Sequence, residues 1–309
     1  MTATTRIAAI DCGTNSIRLL VADAIDGRLV DVHREMRIVR LGEGVDRTGE
    51  LAPQAIERTR AALAEYAATI RELDARRVRM VATSASRDAR NREDFVAMVR
   101  ATLGSDPEVV SGDEEAALSF AGAVGTLPDV TGPVLLADVG GGSTELVAGS
   151  PSGPGELRAS SVDIGSVRMT ERHFHHDPPT ADEIDAVVAD VRAALARARA
   201  SVPLHDSDVL VGVAGTNTTI AAIALGLTEY RPEVIHGARM TADEVADVTD
   251  RLLRATHDER AAIPVLHPGR VDVIAAGALI VRTLVEVTEV AAMIVSEHDI
   301  LDGIALSQL

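Results

Sequence analysis

Lysine and tryptophan are absent from this chain of 309 residues, and aromatic side chains make up only 2% of it. The hydrophobic cores must therefore be built almost entirely from Ala, Val, Leu and Ile. A single cysteine, Cys12, excludes an intramolecular disulfide and suits a reducing cytoplasm. No apolar run reaches the ~18–20 residues that cross a bilayer, and no signal peptide is recognised at the N-terminus. We expect a cytoplasmic protein with no membrane partner.

All 30 positively charged side chains are arginine, and 47 acidic side chains bring the net charge to −17. This charge argues against nucleic acid or an anionic membrane as a partner, because both repel an acidic surface. The charge is uneven, with a net of −3 over residues 1–125 and −14 over residues 126–309. A genome-wide bias towards arginine explains the missing lysine more simply than function does. It does not explain the difference in net charge between the two halves. The first half can present arginine forks to phosphate oxygens.

One phosphate-loop pattern occurs twice in the chain. Residues 7–21 read IAAIDCGTNSIRLLV and residues 134–147 read VLLADVGGGSTELV. Each contains an apolar strand, then Asp-x-Gly-x-x-Ser, then a second apolar strand. Backbone N–H groups in such turns form concave anion sites, and an Asp at the strand end can hold a divalent cation. Two such turns facing one another would grip a phosphate chain from both sides.

The order of predicted elements repeats with the motif. Each half opens with an antiparallel strand meander and continues with a parallel strand and helices. We place the polar segments 83–90 and 214–217 in turns, and we predict separate strands at 28–33 and 36–41. These halves predict an α/β protein with the duplicated actin-like (ribonuclease H-like) ATPase fold, in which two domains surround a phosphate-binding cleft.

The domain boundary is predicted from composition. A stretch rich in proline and glycine at 125–133 separates the two halves. We therefore expect an N-terminal domain at residues 1–125 and a C-terminal domain at residues 126–297. A final helix near 298–309 is expected to pack back on the N-terminal domain. The fold alone does not identify the reaction, because the superfold hosts kinases, ATPases, phosphatases and scaffolds.

Four segments in order, DCGTNSIRLLVAD, ATSASRDARN, SGDEEAALSF and DVGGGSTELV, carry a family resemblance. The likeness continues through SVDIGSVRMTERHF, VGVAGTNTTIAAI, PGRVDVIAAGALI and VSEHDILDGIAL, and so covers nearly the whole chain. In these motifs the sequence resembles the exopolyphosphatase/guanosine pentaphosphate phosphohydrolase family. The resemblance implies a phosphoric anhydride hydrolase that removes a terminal phosphoryl group from polyphosphate or from a nucleotide's polyphosphate tail.

The resemblance also implies the catalytic residues. Hydrolysis needs a carboxylate that orients a water and takes its proton, and the family's catalytic glutamate corresponds to Glu115 in SGDEEA. Glu114 is the alternative if the alignment is shifted by one. Without the resemblance, both would be read as acids that offset a helix N-terminus. Arg87 matches a family arginine that reaches the phosphates, although it could instead cap a helix or pair with Asp88.

A metal and two phosphate cradles complete the implied site. Mg²⁺, with Mn²⁺ as a substitute, is expected on Asp138, with Glu145 close by and Asp11 acting through water. This sparse set suits Mg²⁺, which keeps several of its waters. The expected phosphate-binding residues lie in the two loops and beside the first one: Gly13, Thr14, Asn15, Ser16, Arg18, Gly140, Gly141, Gly142, Ser143 and Thr144. In these loops, the side chains of Asn15, Ser16, Ser143 and Thr144 are expected to add donors to the backbone amides.

Several hypotheses about activity stay open at this point. The first is a Mg²⁺-dependent exopolyphosphatase, and we expect it to prefer short chains because the sequence lacks the C-terminal helical domains of longer members. The second is a guanosine pentaphosphate phosphohydrolase. A non-catalytic regulator that binds a nucleotide or alarmone, and a sugar-kinase-like transferase, are the alternatives of other classes. Inorganic polyphosphate is the expected partner, with guanosine penta- or tetraphosphate and ATP or ADP as further ligands, and a homodimer is the expected assembly.

Three other features carry less weight. His173, His175 and His176 resemble a metal cluster but lack a fourth ligand at suitable spacing. The DIGSVR segment places Gly165 and Ser166 either in contact with the far end of the substrate or in an ordinary turn. The segment 211–219 occupies the turn that contacts adenosine in the superfold, and in a polyphosphatase it could either contact phosphate only or keep a nucleotide site.

Overall fold

The computed structural model describes residues 5–127, 130, 132–150, 157–207 and 209–309. The chain divides into two compact units. Met1–Gly122 and Ile300–Leu309 form unit 1, and Ala123–Asp299 form unit 2. Residues 128, 129 and 131 of the predicted boundary stretch lie outside the described residues.

Unit 1 is built on a five-stranded sheet whose strands follow the order β3-β2-β1-β4-β5. The strands β1, β2 and β3 form an antiparallel meander, while β4 and β5 add in parallel. The elements of the chain up to residue 124 are β1 (Thr5–Cys12), β2 (Ser16–Ile25), β3 (Arg28–Ile38), α1 (Val45–Thr48), α2 (Pro53–Glu72), β4 (Arg77–Ala82), α3 (Ser84–Asp88), α4 (Arg92–Leu103), β5 (Glu108–Val109) and α5 (Gly112–Val124).

Unit 2 is built on a six-stranded sheet in the order β10-β11-β9-β6-β7-β8. Its elements, together with the last helix of the chain, are β6 (Val134–Val139), β7 (Thr144–Gly149), β8 (Arg158–Val162), α6 (Ser166–His173), α7 (Ala181–Ala198), β9 (Val209–Val213), α8 (Ala214–Ala224), α9 (Pro232–Ile235), β10 (Arg239–Thr241), α10 (Ala242–Arg254), α11 (His257–Ala261), a 3₁₀ turn (Pro268–Arg270), α12 (Ile274–Thr288), β11 (Ala292–Val295) and α13 (Ile300–Leu306).

Successive side chains of β1 point to opposite faces of the sheet and belong to two separate cores in unit 1. Ala8, Ile10 and Cys12 pack with side chains of α2 and α4 in one cluster. Ile7 and Ala9 belong to a second cluster, with Leu118 of α5 and Ile300, Leu301 and Ile304 of α13. Asp11 follows Ile7 and Ala9 by alternation and lies on the same face. The last helix of the chain therefore covers the sheet face on which Asp11 lies.

One face of the unit 2 sheet is covered by an aliphatic core. Leu135, Ala137 and Val139 of β6 are buried there with residues of α7, α10 and α12. Capping boxes define the starts of two of these helices, because Thr180 and Glu183, and likewise Thr241 and Glu244, exchange hydrogen bonds across the first turn. By alternation, Asp138 points to the opposite face of the sheet.

The two units repeat one topology. In each, an antiparallel three-stranded meander (β1-β2-β3 or β6-β7-β8) is extended on the side of its first strand by parallel strands, β4 and β5 or β9 and β11. A helix follows β4 and β9, and another helix follows β5 and β11. The predicted duplicated actin-like α/β fold is confirmed. Among the helices that the structure describes, none is both long enough and apolar enough to cross a membrane.

Three local predictions were wrong. The segments 83–90 and 214–217 enter helices directly, as α3 and the first turn of α8. A positive φ of 66° at Ala214 turns the chain from β9 into α8, so no separate turn is needed. The two strands predicted at 28–33 and 36–41 are one strand, β3, because β2 pairs along its length and a register shift between Val21 and Ala22 accommodates the irregularity.

Candidate active site

The first phosphate loop is held from one side by the segment 39–42. The loop closes on itself with a bond from Gly13 N to Ser16 O at 2.9 Å. The carbonyls of Thr14 and Asn15 accept N–H groups from the segment 39–42 at 2.8–3.0 Å. In a trans peptide the C=O and the following N–H point in opposite directions. The N–H groups of Asn15 and Ser16 are therefore directed away from that segment, as an anion site requires.

Thr14 is the buried member of this loop. Its hydroxyl lies 2.8 Å from the hydroxyl of Ser84 at the start of α3. A Cβ on Gly42 would lie 2.3 Å from the Thr14 methyl group, so only glycine allows the segment 39–42 to approach this closely. The Thr14 side chain thus supports the loop, which leaves its backbone for the predicted phosphate contact.

Asp11 and Arg18 face one another across the β1–β2 hairpin. They are direct partners in the antiparallel register. Arg18 donates to Asp11 Oδ2 from Nε at 2.9 Å and from Nη2 at 2.7 Å. The Asp11 carboxylate is only 5% exposed, so the pair is little screened by water. Asp11 therefore holds the guanidinium of a predicted phosphate ligand, while its predicted contact with a metal through water stays a prediction.

The predicted base and the predicted catalytic arginine form an ion pair. Arg87 at the end of α3 donates from Nη1 to Glu115 Oε2 at 2.9 Å and to the carbonyl of Val110 at 3.1 Å. The Glu115 side chain is 9% exposed, whereas that of Glu114 is 48% exposed and is paired with Arg79. Of the two adjacent glutamates, Glu115 is thus the one that lies beside Arg87, the predicted catalytic arginine.

The second phosphate loop is held by the first turn of α6. The N–H groups of Ser166 and Val167 donate to the carbonyls of Gly140 and Gly141, both at 2.9 Å. A Cβ on Gly165 would lie 2.4 Å from the Gly141 carbonyl, so this approach also needs glycine. Gly165 and Ser166 therefore support the loop from behind, and the N–H groups of Gly141 and Gly142 are directed to its other side.

Thr144 differs from what the sequence predicts. Its hydroxyl donates to the carbonyl of Ile164, and the residue is completely buried. Because the hydroxyl proton is used inside unit 2, the expectation that this side chain adds a donor for phosphate was wrong. Ser143 beside it is 2% exposed.

Asp138 and Glu145 provide two carboxylates on one face of the unit 2 sheet. They are direct partners in the β6–β7 register, and both are buried, at 6% and 1% exposure. Directly opposed residues have their Cβ atoms about 5 Å apart. The Ser161 hydroxyl donates to Glu145 Oε1 at 2.7 Å and orients that carboxylate. Two neighbouring buried carboxylates, one of them oriented by Ser161, fit Mg²⁺, which needs few protein ligands and keeps water in its other positions.

Arg270 is a further candidate for contact with a phosphate, and it was not predicted from the sequence. A Cβ on Gly215 would lie 1.3 Å from Arg270 Nη1, so the guanidinium lies directly against the start of α8. β9 ends at Val213, which is the parallel partner of Asp138. Arg270 therefore lies near the C-terminal ends of β6 and β9, where Asp138 also lies. Its place in the PGRVDVI motif was the available signal.

The three histidines have a structural explanation. His173 Nε2 lies 2.9 Å from Asp190, and His176 Nδ1 lies 2.8 Å from Glu183. The N–H of His175 donates to the same Glu183. Within the ranges that the structure describes, no group of three or more His, Cys, Asp or Glu side chains is arranged to hold a metal.

The comparisons with known proteins agree with these motifs. Residues 20–309 match the Ppx/GppA phosphatase family. Exopolyphosphatase 2 of Mycobacterium tuberculosis is 51% identical, and the match covers 99% of both chains. The guanosine-5'-triphosphate,3'-diphosphate pyrophosphatase of Vibrio atlanticus is 31% identical over 96% of this chain and 58% of its own length. A solved structure described as an exopolyphosphatase-like protein is 40% identical, with a TM-score of 0.94 over 99% of this chain and 98% of that one.

Proposed function

Because the chain belongs to the Ppx/GppA phosphatase family, a family of hydrolases, we propose that it is an exopolyphosphatase that releases terminal orthophosphate from inorganic polyphosphate. The full-length similarity to an exopolyphosphatase at 51% identity supports this substrate over others. The observation that carries the chemistry is the pair Arg87–Glu115, which places a buried carboxylate beside a cation.

The proposed reaction is an in-line attack by water on the terminal phosphorus. Glu115 orients the water and takes its proton as the new P–O bond forms. The bridging P–O bond breaks, and the shortened chain leaves with the electron pair of that bond. Arg87 stabilises the charge that builds on the phosphoryl oxygens, a role for which a fixed guanidinium is well suited.

Each of the two loops binds phosphate oxygens in this proposal. The outward N–H groups of Asn15 and Ser16, and those of Gly141 and Gly142, donate to phosphate oxygens. Arg18, held by Asp11, adds a bidentate donor. Asp138 would hold Mg²⁺, with Glu145 beside it and Asp11 acting through water, and Mn²⁺ would substitute. When bound, the ion neutralises charge on the phosphate chain.

A second candidate is hydrolysis of guanosine pentaphosphate. It is favoured by the relative from Vibrio atlanticus, whose name describes that activity. The same base, arginine and loops would serve, because both substrates end in a phosphoric anhydride. A regulator that binds an alarmone or ATP or ADP without turnover would not need a carboxylate placed like Glu115.

Orthophosphate release with Mg²⁺ tests these proposals. Short polyphosphate, long polyphosphate, ATP and guanosine pentaphosphate are supplied at equal concentrations of end groups to the wild type and to Glu115→Gln. Release from polyphosphate that disappears in the variant supports the exopolyphosphatase, and the two chain lengths test the expected preference for short chains. Release from guanosine pentaphosphate alone supports the second candidate. No release from any of them, with tight binding of one, supports the regulator.

The assembly and the compartment are also proposals. We propose a homodimer in the cytoplasm. Light scattering coupled to gel filtration gives the mass in solution, and a mass equal to one chain of 32.4 kDa would contradict the dimer.

A further inference from the structure

Arg168 contacts the back of the second phosphate loop. It is the third residue of α6, and its Nε donates to the carbonyl of Gly142 at 2.7 Å. Its backbone N–H donates to the carbonyl of Gly141 at 3.1 Å. The short Nε bond is typical of a charged donor. Arg168 thereby continues, with its side chain, the series of bonds that Ser166 and Val167 make to the loop with their backbone.

The bond to Gly142 controls the direction of the next N–H. The Gly142 carbonyl and the Ser143 N–H belong to one planar trans peptide and point in opposite directions. With the carbonyl held towards α6, the Ser143 N–H is directed to the same side as the N–H groups of Gly141 and Gly142. Three successive N–H groups on one side form a concave anion site.

This peptide needs an external constraint because of its sequence. Glycine is the most permissive residue in φ and ψ, so three glycines in succession do not by themselves fix the orientation of the Gly142–Ser143 peptide. If this peptide turned over, a carbonyl oxygen would occupy the place of a donor and would repel a phosphate oxygen. The two preceding carbonyls are fixed by backbone N–H groups, but that of Gly142 is held by a side chain.

We propose that Arg168 is a positioning residue of the polyphosphate site: its Nε–H fixes the Gly142–Ser143 peptide so that the Ser143 N–H is available to a phosphate oxygen. This inference rests on the proposed function, since the anion in question is the substrate's phosphate chain. In this role the N–H at the Nε position matters, and the positive charge is secondary.

A matched pair of substitutions separates the donor from the charge. In Arg168→Gln, Nε2 stands the same number of bonds from the backbone as Nε does in arginine, so a donor is kept while the charge is lost. Arg168→Met has a chain of equal length with no donor. Arg172→Met is the control on the same helix, since Arg172 lies at its far end and pairs with Asp190 on α7.

The first measurement is kcat/KM for orthophosphate release from tripolyphosphate. We expect Arg168→Met to lose about 10- to 100-fold, by analogy with the loss when a group that orients a metal ligand is removed. Arg168→Gln is expected to stay within about threefold of the wild type, as is Arg172→Met. Equal losses in the Gln and Met variants would overturn the proposal, because they would mean that the charge itself contacts substrate. Wild-type rates in both would also overturn it.

The second measurement does not depend on turnover. In the Glu115→Gln background, the amide signals of Gly141, Gly142 and Ser143 are followed by NMR while inorganic tripolyphosphate is added. The Ser143 proton should move downfield when Arg168 is intact and also in Arg168→Gln, and it should not move in Arg168→Met. If the wild type hydrolyses none of the four substrates, the proposed function fails, and the same titration still decides whether Arg168 orients the loop towards an anion. A Ser143 proton that responds equally in the Met and Gln variants would contradict the positioning role.

Discussion

Arg87 donates from Nη1 to Glu115 Oε2 at 2.9 Å, across 28 residues of sequence. The contact joins the end of α3 to the first turn of α5, and α5 packs with α13 on one face of the unit 1 sheet. One interaction therefore places both the carboxylate that we propose as the base and the guanidinium that we propose to contact the phosphoryl group. This pair gives the first prediction.

Glu115→Gln should lower kcat by ~10²–10⁴-fold while substrate affinity changes little, because the base acts only in the transition state. Glu114→Gln is the matched comparison, since Glu114 is half-exposed and pairs with Arg79. Steady-state release of orthophosphate and tripolyphosphate binding by calorimetry measure the two effects. A loss in Glu114→Gln with normal rates in Glu115→Gln would transfer the role to the neighbour.

Asp11→Asn and Arg18→Met should each raise KM for polyphosphate more than they lower kcat, because the pair presents a phosphate donor. The double variant should be little worse than either single one, as expected for residues that act together. The control is Asp23→Asn, which breaks the Arg6–Asp23 pair on the same two strands at the other end of the hairpin. Additive losses, or an equal effect of the control, would show that the Asp11–Arg18 contact is not specific to the substrate.

Asp138→Asn should raise the Mg²⁺ concentration that gives half-maximal activity by ~10-fold or more. Removal of a group that only orients a metal ligand already weakens metal binding by about that factor. Glu145→Gln should act in the same direction and less strongly. The measurement is a Mg²⁺ titration of the initial rate, with Asp163→Asn, an exposed acid beyond β8, as the control. An unchanged titration in Asp138→Asn would place the metal elsewhere.

Gly165→Ala should reduce both stability and kcat/KM. The φ of −135° at Gly165 suits any residue, so the effect comes from the added methyl group, which would lie 2.4 Å from the Gly141 carbonyl. Overpacking of this kind costs about 1–3 kcal/mol of unfolding free energy. Gly125→Ala is the control, because a Cβ there meets nothing within 4 Å. Thermal unfolding and kinetics of the two variants are compared, and identical behaviour would exclude the close contact.

Glu183→Gln should lower the melting temperature at neutral pH and not in acid. The His176 ring, followed by the Thr180 N–H, lowers the pKa of Glu183 from 4.5 to about 2. A carboxyl whose pKa is lower in the folded state stabilises the fold above pH 4.5, and this contribution is lost as the pH falls towards 2. As the pH is lowered from 7, the melting temperature of Glu183→Gln should therefore approach that of the wild type. Asp185→Asn, an exposed acid on the same helix, is the control, and a constant difference at every pH would contradict the assignment.

Much of the local architecture could be predicted from the sequence. The duplicated Asp-x-Gly-x-x-Ser motif, flanked by apolar runs, indicated both hairpins and therefore the α/β repeat. Even the Asp11–Arg18 pair could be predicted, since a hairpin with a turn centred between residues 14 and 15 places these two residues opposite one another.

The wrong predictions at 83–90 and 214–217 have a common cause. Both segments are polar, and polar residues open a helix at a sheet edge as readily as they form a turn.

Contacts that depend on tertiary packing could not be predicted. Nothing in the spacing of Arg87 and Glu115 indicates that α3 and α5 converge, and only the family resemblance suggested a shared role. The hydroxyl of Thr144 had the same polar appearance as that of Ser16, yet it is used by the Ile164 carbonyl. Arg168 stood in a motif that resembled a simple turn, and its contact with Gly142 requires α6 to return to the loop.

The return of α13 to unit 1 has a consequence for biosynthesis. Its Gly303 packs so closely on the backbone of Leu118 that a Cβ would lie 2.0 Å from the Leu118 carbonyl oxygen, and Asp302 receives both Nη groups of Arg34. A ribosome delivers the N-terminal residues first, but one face of their sheet, on which α5 also packs, is not fully covered until α13 has emerged. Unit 2 is one continuous segment, and all of its residues are translated before α13. The part of the protein that is translated first is therefore the part that is completed last.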